Sequence, residues 1–373
     1  MIIMALDHAR DYFHYGSFIG DPTDFDTTTP FLFFTRIITH YCAPVFVLLT
    51  GTAAYLYGSK KSKFELSKFL FTRGVWLIFL ELVLNNLIWW FNISYSFVVL
   101  QVIWAIGLSM IILSGIVYLS KKYVFLIGLS IILFHNLFDN IILDGSSFVS
   151  TTWYILHQGG TITLGETPFY FYYPVIPWTG IMCLGYCLGS LYNKNINQSY
   201  RISMLYKLGI GSTLFFVLLR FLSFYGDSNL WETQDTITIT IMDFFKVSKY
   251  PPSLHYTLMT IGPSLILLAI IEKYKNKFTD FVVVFGRVPL MYYFLHVLVI
   301  HLFAIIILLF SGQDISVMII PVIPENYFQL LDYGYSLLIV YLVWIIVVIM
   351  LYPICKKYMI YKSKSNKWWL SYL

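Results

Sequence analysis

Near the start of the chain, Asp7-His8-Ala9-Arg10-Asp11 places three formal charges and a histidine inside an apolar run. On a helix, Asp7, Arg10, Asp11 and His14 fall at i, i+3, i+4 and i+7 and share one face. His8 turns about 100° away from them, within reach of Asp11 and Tyr12. Two chemistries fit this pattern. Either Asp7, Arg10 and Asp11 form a clamp that neutralises itself, or the carboxylates orient His8 and raise its basicity as a general base. Imidazole suits the second role, because its unperturbed pKa of about 6.5 allows both proton uptake and release near neutrality. Arg36 and His40 repeat the motif at i, i+4 in the next apolar run, which makes His40 the second candidate base. Further along, Lys249, Arg287, Trp178 and His296 are candidates for binding a donor or acceptor. Lys249 is a cation among acidic neighbours, and Arg287 is a fixed cation beside Pro289 that suits a phosphate.

These groups must be carried by membrane-spanning helices. Of 373 residues, 58% are apolar and only 12% are charged, with a mean hydropathy of +0.74. A soluble domain carries about 25% charged residues. The composition excludes an ordinary soluble enzyme, a disordered chain and a nucleic-acid binder. It predicts an all-α, polytopic bundle of about ten transmembrane helices, read as a single domain over 1–373. The expected spans are 1–15, 31–58, 69–91, 97–119, 123–143, 170–192, 204–225, 253–271, 281–310 and 331–354; a bilayer core requires roughly 20 residues, and only the first falls well short of that. The two longest gaps, 144–169 and 226–252, read as re-entrant or lid-like loops. Cys42, Cys183, Cys187 and Cys355 form no Cys-x-x-Cys pair and read as small buried side chains, so no metal is expected.

Charge placement orients the bundle. Most of the 24 basic residues fall in the gaps after spans 2, 4, 6 and 8 and in the tail, among them Lys60, Lys61, Lys63, Lys121, Lys122, Lys194, Lys273, Lys275 and Lys356. The other gaps hold Asp21, Asp24, Asp26, Asp144, Glu166, Asp227, Glu232, Asp235, Asp243, Asp314 and Glu325. The positive-inside rule then puts the C-terminus in the cytoplasm and the chain in the cytoplasmic membrane. Arg10, Arg36, Arg220 and Arg287 remain inside spans, where each charge costs about 2.5–3.5 kcal/mol unless it faces protein or water. Glu81, Asn85, Asn86, Gln101, His135, Asn136 and Asp139 read as interhelical hydrogen-bond partners. Pro174 and Pro177 open span 6, and Gly180, Gly185 and Gly189 follow to allow close helix approach.

Several segments together resemble a known family. Leu6-Asp7-His8-Ala9-Arg10-Asp11-Tyr12-Phe13, Arg36-Ile37-Ile38-Thr39-His40-Tyr41-Cys42-Ala43-Pro44-Val45-Phe46, Lys249-Tyr250-Pro251-Pro252-Ser253-Leu254, Gly286-Arg287-Val288-Pro289-Leu290 and Trp368-Trp369-Leu370-Ser371-Tyr372-Leu373 are similar to bacterial membrane proteins related to the catalytic domain of heparan-alpha-glucosaminide N-acetyltransferase. The resemblance implies a membrane acyltransferase that takes acetyl from cytoplasmic acetyl-CoA, as co-substrate, and delivers it to a sugar on the far side. It also implies a membrane histidine at the position of His8, preceded by an Arg–Gly pair that would lie before Met1. A longer native N-terminus is therefore expected, consistent with a first span of only about 22 Å.

The expected mechanism places His8 as base toward a sugar hydroxyl or amine, with Arg10, Arg36 or asparagines stabilising the oxyanion. The expected partners are the lipid bilayer, acetyl-CoA and a sugar or glycan acceptor, with oligomerisation left open. The alternative is a proton-coupled transporter or exporter of a small or glycan substrate. Against it, no matched pair of broken helices marks two halves of the chain.

Overall fold

In a computed structural model of the chain, residues 1–18, 20–319, 333–365, 367 and 370 are described. Glu325, the first two positions of the expected span 331–354, and Trp368, Trp369, Ser371, Tyr372 and Leu373 of the terminal motif lie outside them. In chain order the principal elements begin with helices α1 (Ile2–Phe13), α2 (Pro30–His40), α3 (Cys42–Gly58), α4 (Lys63–Leu80) and α5 (Asn86–Trp90). There follow β1 (Val98–Leu100), α6 (Val102–Ile116), α7 (Lys121–Phe134), α8 (Phe148–Trp153), β2 (Gly160–Leu164) and β3 (Thr167–Phe171). The remainder comprises α9 (Val175–Leu188), α10 (Gln198–Leu222), α11 (Ile237–Phe245), α12 (Leu254–Ile271), α13 (Lys277–Arg287), α14 (Pro289–Phe310), α15 (Ser316–Ile319) and α16 (Leu337–Lys364).

The chain is an all-α membrane bundle. Among the described residues, seven segments are long and apolar enough to cross a bilayer: Pro30–Gly58, Lys121–Phe138, Val175–Tyr192, Gln198–Leu222, Leu254–Ile271, Pro289–Phe310 and Leu337–Lys364. Three further expected spans take other forms. α1 has only 12 residues. The expected span 69–91 is divided by a π-helical turn at Glu81–Asn85, and 97–119 becomes a short strand followed by the 15-residue α6. The expected span 281–310 is two helices, because Pro289 lacks the N–H that would continue α13 and disfavours helical backbone at Val288. Pro251 and Pro252 stand immediately before Ser253, the cap of α12.

Contacts group the residues into two units. The first comprises Met1–Cys42, Leu84–Ser94 and Lys275–Leu373. Within it α1 packs on α2, α14 and α16, and α14 packs on α5 and α16. Ala5, Leu6, Ala9 and Phe13 form the buried apolar stripe of α1. Polar anchors pin both ends of this helix: the Trp344 indole N–H donates to the Ile2 carbonyl at 2.8 Å, and Tyr335 N–H donates to Phe13 O at 2.7 Å.

The second unit comprises Ala43–Val83 and Tyr95–Tyr274. Here α4 packs on α6, α9 on α6 and α7, and α10 on α12. Its gap 144–169, expected as a re-entrant or lid-like loop, holds α8, β2 and the start of β3. β3 pairs parallel with β1 and antiparallel with β2, over a small core of Val98, Leu100, Tyr154, Ile162 and Phe171. The gap 226–252 contains α11, whose C-terminal carbonyls are bound by Arg220. That fully buried guanidinium donates to Phe244 O and Asp243 O at 2.9 Å and to Lys246 O at 2.8 Å, and it also binds Asn229 O. A buried cation surrounded by carbonyl oxygens is a structural solution to its own desolvation. Glu81, also fully buried, accepts the backbone N–H groups of Gln101 and Trp104 at 3.0 Å and so caps α6.

Candidate functional site

The first unit gathers eight of the expected site residues on its own elements: Asp7, His8, Arg10 and Asp11 on α1, Arg36 and His40 on α2, Arg287 on α13 and His296 on α14. Trp178 and Lys249 belong to the second unit. There Trp178 is fully buried, with its ring against Tyr173 and Tyr256. The Lys249 ammonium lies 4.9 Å from the Tyr250 ring centroid and 6.0 Å from that of Tyr173, a cation–π seat rather than an exposed anion contact.

The charged face of α1 closes on itself and on α2. Arg10 Nη1 is 2.8 Å from Asp7 Oδ1, and its Nη2 donates to Asp11 Oδ1 at 2.5 Å. Arg36 Nη1 donates to both Asp7 oxygens at 2.9 Å, and the Thr39 hydroxyl donates to Asp7 Oδ1 at 2.8 Å. Two carboxylates and two guanidiniums thus form a neutral cluster buried at Asp7 and Arg10 and open only at Asp11, whose side chain is 36% exposed. Of the two arrangements expected for this face, the geometry is that of the self-neutralising clamp, extended by Arg36 from α2, with both guanidiniums on Asp7. The reason is electrostatic: at low dielectric, a buried carboxylate gains most from a guanidinium that matches its geometry. His40 is buried beside Thr39, while Arg287 is exposed at the C-terminal end of α13, where a cation is favoured by the helix dipole.

His8 faces a different partner. Its ring lies edge to edge with that of His296, nearly coplanar, with centroids 4.9 Å apart and planes within 7°, and His8 Nδ1 lies 2.8 Å from His296 Nε2. The other His296 nitrogen, Nδ1, is 2.6 Å from the Tyr292 carbonyl oxygen. A carbonyl only accepts, so His296 Nδ1 carries the proton and neutral His296 presents a lone pair at Nε2. His8 Nδ1 must then be the donor, and its basic lone pair falls on Nε2. The tautomer of His8 is therefore assigned by a relay that starts at a backbone carbonyl of α14.

An aromatic frame fixes this pair. Trp89 stands edge-on to His8 at 4.7 Å, and the Tyr12 hydroxyl donates to Trp89 O at 2.6 Å. The Tyr293 hydroxyl donates to Asn85 Oδ1 at 3.1 Å and accepts from Trp89 Nε1 at 3.4 Å. His301 places its ring nitrogens 2.9 Å from Ile88 O and 2.7 Å from Met318 O. Trp89, Tyr292 and Tyr293 carry no signal in the sequence, since aromatic residues pervade the chain. The Tyr292 role lies in its carbonyl, which every residue possesses.

His8 is 8% exposed and His296 fully buried. A cavity of ≈ 660 Å³ in this unit is lined by residues such as His14, Thr35 and Tyr341, and neither His8 nor His296 is among them. Asp11, at the edge of the ion cluster, is the most exposed of its members, with a side chain 36% exposed.

No curated protein and no solved structure matches the chain. The family described as heparan-alpha-glucosaminide N-acetyltransferase, catalytic, does match, over residues 1–230, a stretch that holds the α1 histidine and the whole ion cluster. The match covers more than half of the chain, and the protein is a member of the heparan-alpha-glucosaminide N-acetyltransferase catalytic-domain family.

Proposed function

We propose that the protein transfers an acetyl group from cytoplasmic acetyl-CoA to a sugar hydroxyl or amine on the outer face of the cytoplasmic membrane, with His8 as general base. The observation that carries this reading is the His8–His296 relay, which leaves the His8 lone pair at Nε2. Nε2 takes the proton of the sugar nucleophile as its oxygen or nitrogen attacks the thioester carbonyl. The tetrahedral intermediate collapses, the C–S bond breaks, and CoA thiolate receives that proton from His8. His296 acts as a positioning residue, holding the ring of His8 through Nδ1. The Asp7–Arg10–Arg36 cluster fastens α1 to α2 and so fixes where His8 stands. His40 is the alternative base. Arg287 and the lysine-rich connections supply cations for the phosphates of the donor, and the positive-inside bias supports a cytoplasmic C-terminus.

The test is release of free CoA from acetyl-CoA by purified protein supplied with a glucosamine acceptor. Loss of a general base costs about 10²–10⁴-fold, so His8→Gln should lose at least about 100-fold while still binding acetyl-CoA. His40→Gln should retain most turnover. His296→Phe should lower kcat with KM little changed. Full turnover in His8→Gln removes His8 from the chemistry. Passage of the glycan across proteoliposomes with the thioester intact replaces acyl transfer with transport.

A further inference from the structure

A second titratable cluster lies in the other unit, at the end of α7. The helix continues through a tight turn at His135–Phe138, which brings His135 and Asp139 to one side at i, i+4. His157 joins them from the π-helical turn Tyr154–Gln158 that follows α8. One ligand atom from each of these three residues lies within 4.8 Å of the others, and His157 Nε2 is 3.5 Å from Asp139 Oδ1. His135 is only 2% exposed, yet neither of its ring nitrogens has a hydrogen-bond partner, and Asp139 Oδ1 has none either. Buried polar atoms are normally paired, and an orphaned imidazole beside an orphaned carboxylate oxygen calls for a partner that can accept electron pairs from both.

We propose that His135, Asp139 and His157 bind a divalent transition-metal ion of the zinc class, with a fourth position open to water or substrate. Two imidazoles and one carboxylate are a donor set that first-row metals favour, and three protein ligands with one open position is the arrangement of reactive rather than purely structural zinc. Metal–ligand bonds of about 2.0–2.2 Å put tetrahedral donor atoms roughly 3.4 Å apart, so the cluster needs only a modest contraction. To coordinate through Nε2, His157 would give up its 2.8 Å contact with the His135 carbonyl.

The surroundings already orient the ligands. Asn136 Nδ2 donates to Asp139 Oδ2 at 2.8 Å, which leaves Oδ1 turned toward His157, and Asn136 Oδ1 accepts from Leu254 N–H at 2.9 Å. The Trp153 ring stacks on His157 at 4.9 Å, within 12° of parallel, and limits its rotation. Such outer partners tune metal sites by fixing ligand direction.

The full-length protein, stripped with chelator in detergent, is titrated with Co²⁺ and then competed with Zn²⁺, and metal content is measured by mass spectrometry. Wild-type protein should hold about one metal per chain and show the visible bands of tetrahedral Co²⁺. His135→Ala and His157→Gln should lose those bands, and Asn136→Ala should weaken binding about 10–100-fold. A wild-type protein without Co²⁺ bands overturns the proposal, with no variant required. So does unchanged Co²⁺ binding in well-folded His135→Ala and His157→Gln, which would leave His157 as a hydrogen-bond donor to the His135 carbonyl and nothing more.

Discussion

Asp7 accepts hydrogen bonds from Arg36 and Thr39 and forms an ion pair with Arg10, and its side chain is 13% exposed, whereas Asp11 accepts from Arg10 and is 36% exposed. The two carboxylates therefore differ in consequence although they sit one turn apart. Removing one partner of a buried pair strands the other charges and costs about 3–5 kcal/mol. Asp7→Asn should lower stability by that amount in denaturant or thermal unfolding. Asp11→Asn, at a solvent-reached edge, should cost no more than about 1 kcal/mol. Equal losses for the two variants would mean that the cluster is not organised around Asp7. The spacing Asp7-x-x-Arg10 was legible as a helical face, and the self-neutralising clamp was one of two readings. Arg36 as its fourth member was not legible, because nothing in local spacing ties residue 36 to residue 7.

Among elements, the helix contacts of the second unit depend on glycines that the sequence placed in the right face of α9. A Cβ on Gly185 would come within 2.0 Å of Leu48 O on α3, and one on Gly51 within 2.1 Å of Met182 O. Backbone stands against backbone there, so no side chain can yield. Gly115 in α6 meets nothing within 4 Å of a built Cβ. Gly185→Ala should therefore cost about 1–3 kcal/mol by overpacking. Gly115→Ala should be neutral or gain up to about 1 kcal/mol, because alanine loses less backbone entropy. Thermal unfolding of both variants in the same detergent checks the contrast. Element breaks were less legible. Glu81 lies in a run that reads as one continuous span, and the turn at Glu81–Asn85 becomes intelligible only when its carboxylate is seen capping α6.

At the scale of the whole molecule, the lysine bias makes a claim about sidedness that accessibility can check. In a chain whose native cysteines are replaced by serine, Asn195→Cys should react with an impermeant maleimide only after the cytoplasmic face is exposed. Ser146→Cys should react from outside in intact cells. Both positions are exposed in the structure. The reverse pattern would overturn the proposed direction of acetyl transfer, since a cytoplasmic donor and the lysine-rich connections would then face opposite compartments.

Composition and hydropathy by themselves determined that the chain is a multi-helix membrane protein, because burying this much apolar surface in water is not feasible for a chain of this length. Charges at helix spacing in the apolar run around His8 demanded a protein or aqueous partner, and the segments that carry them resemble the family to which the chain belongs. Tertiary structure decided which partners they took. It brought His296 to His8 from 288 residues away, turned Asp7 toward Arg36, and set His157 beside His135 and Asp139. Such pairings depend on which helices pack together, and that is settled by side-chain shape and backbone approach over the folded unit, not by the order of residues along one helix.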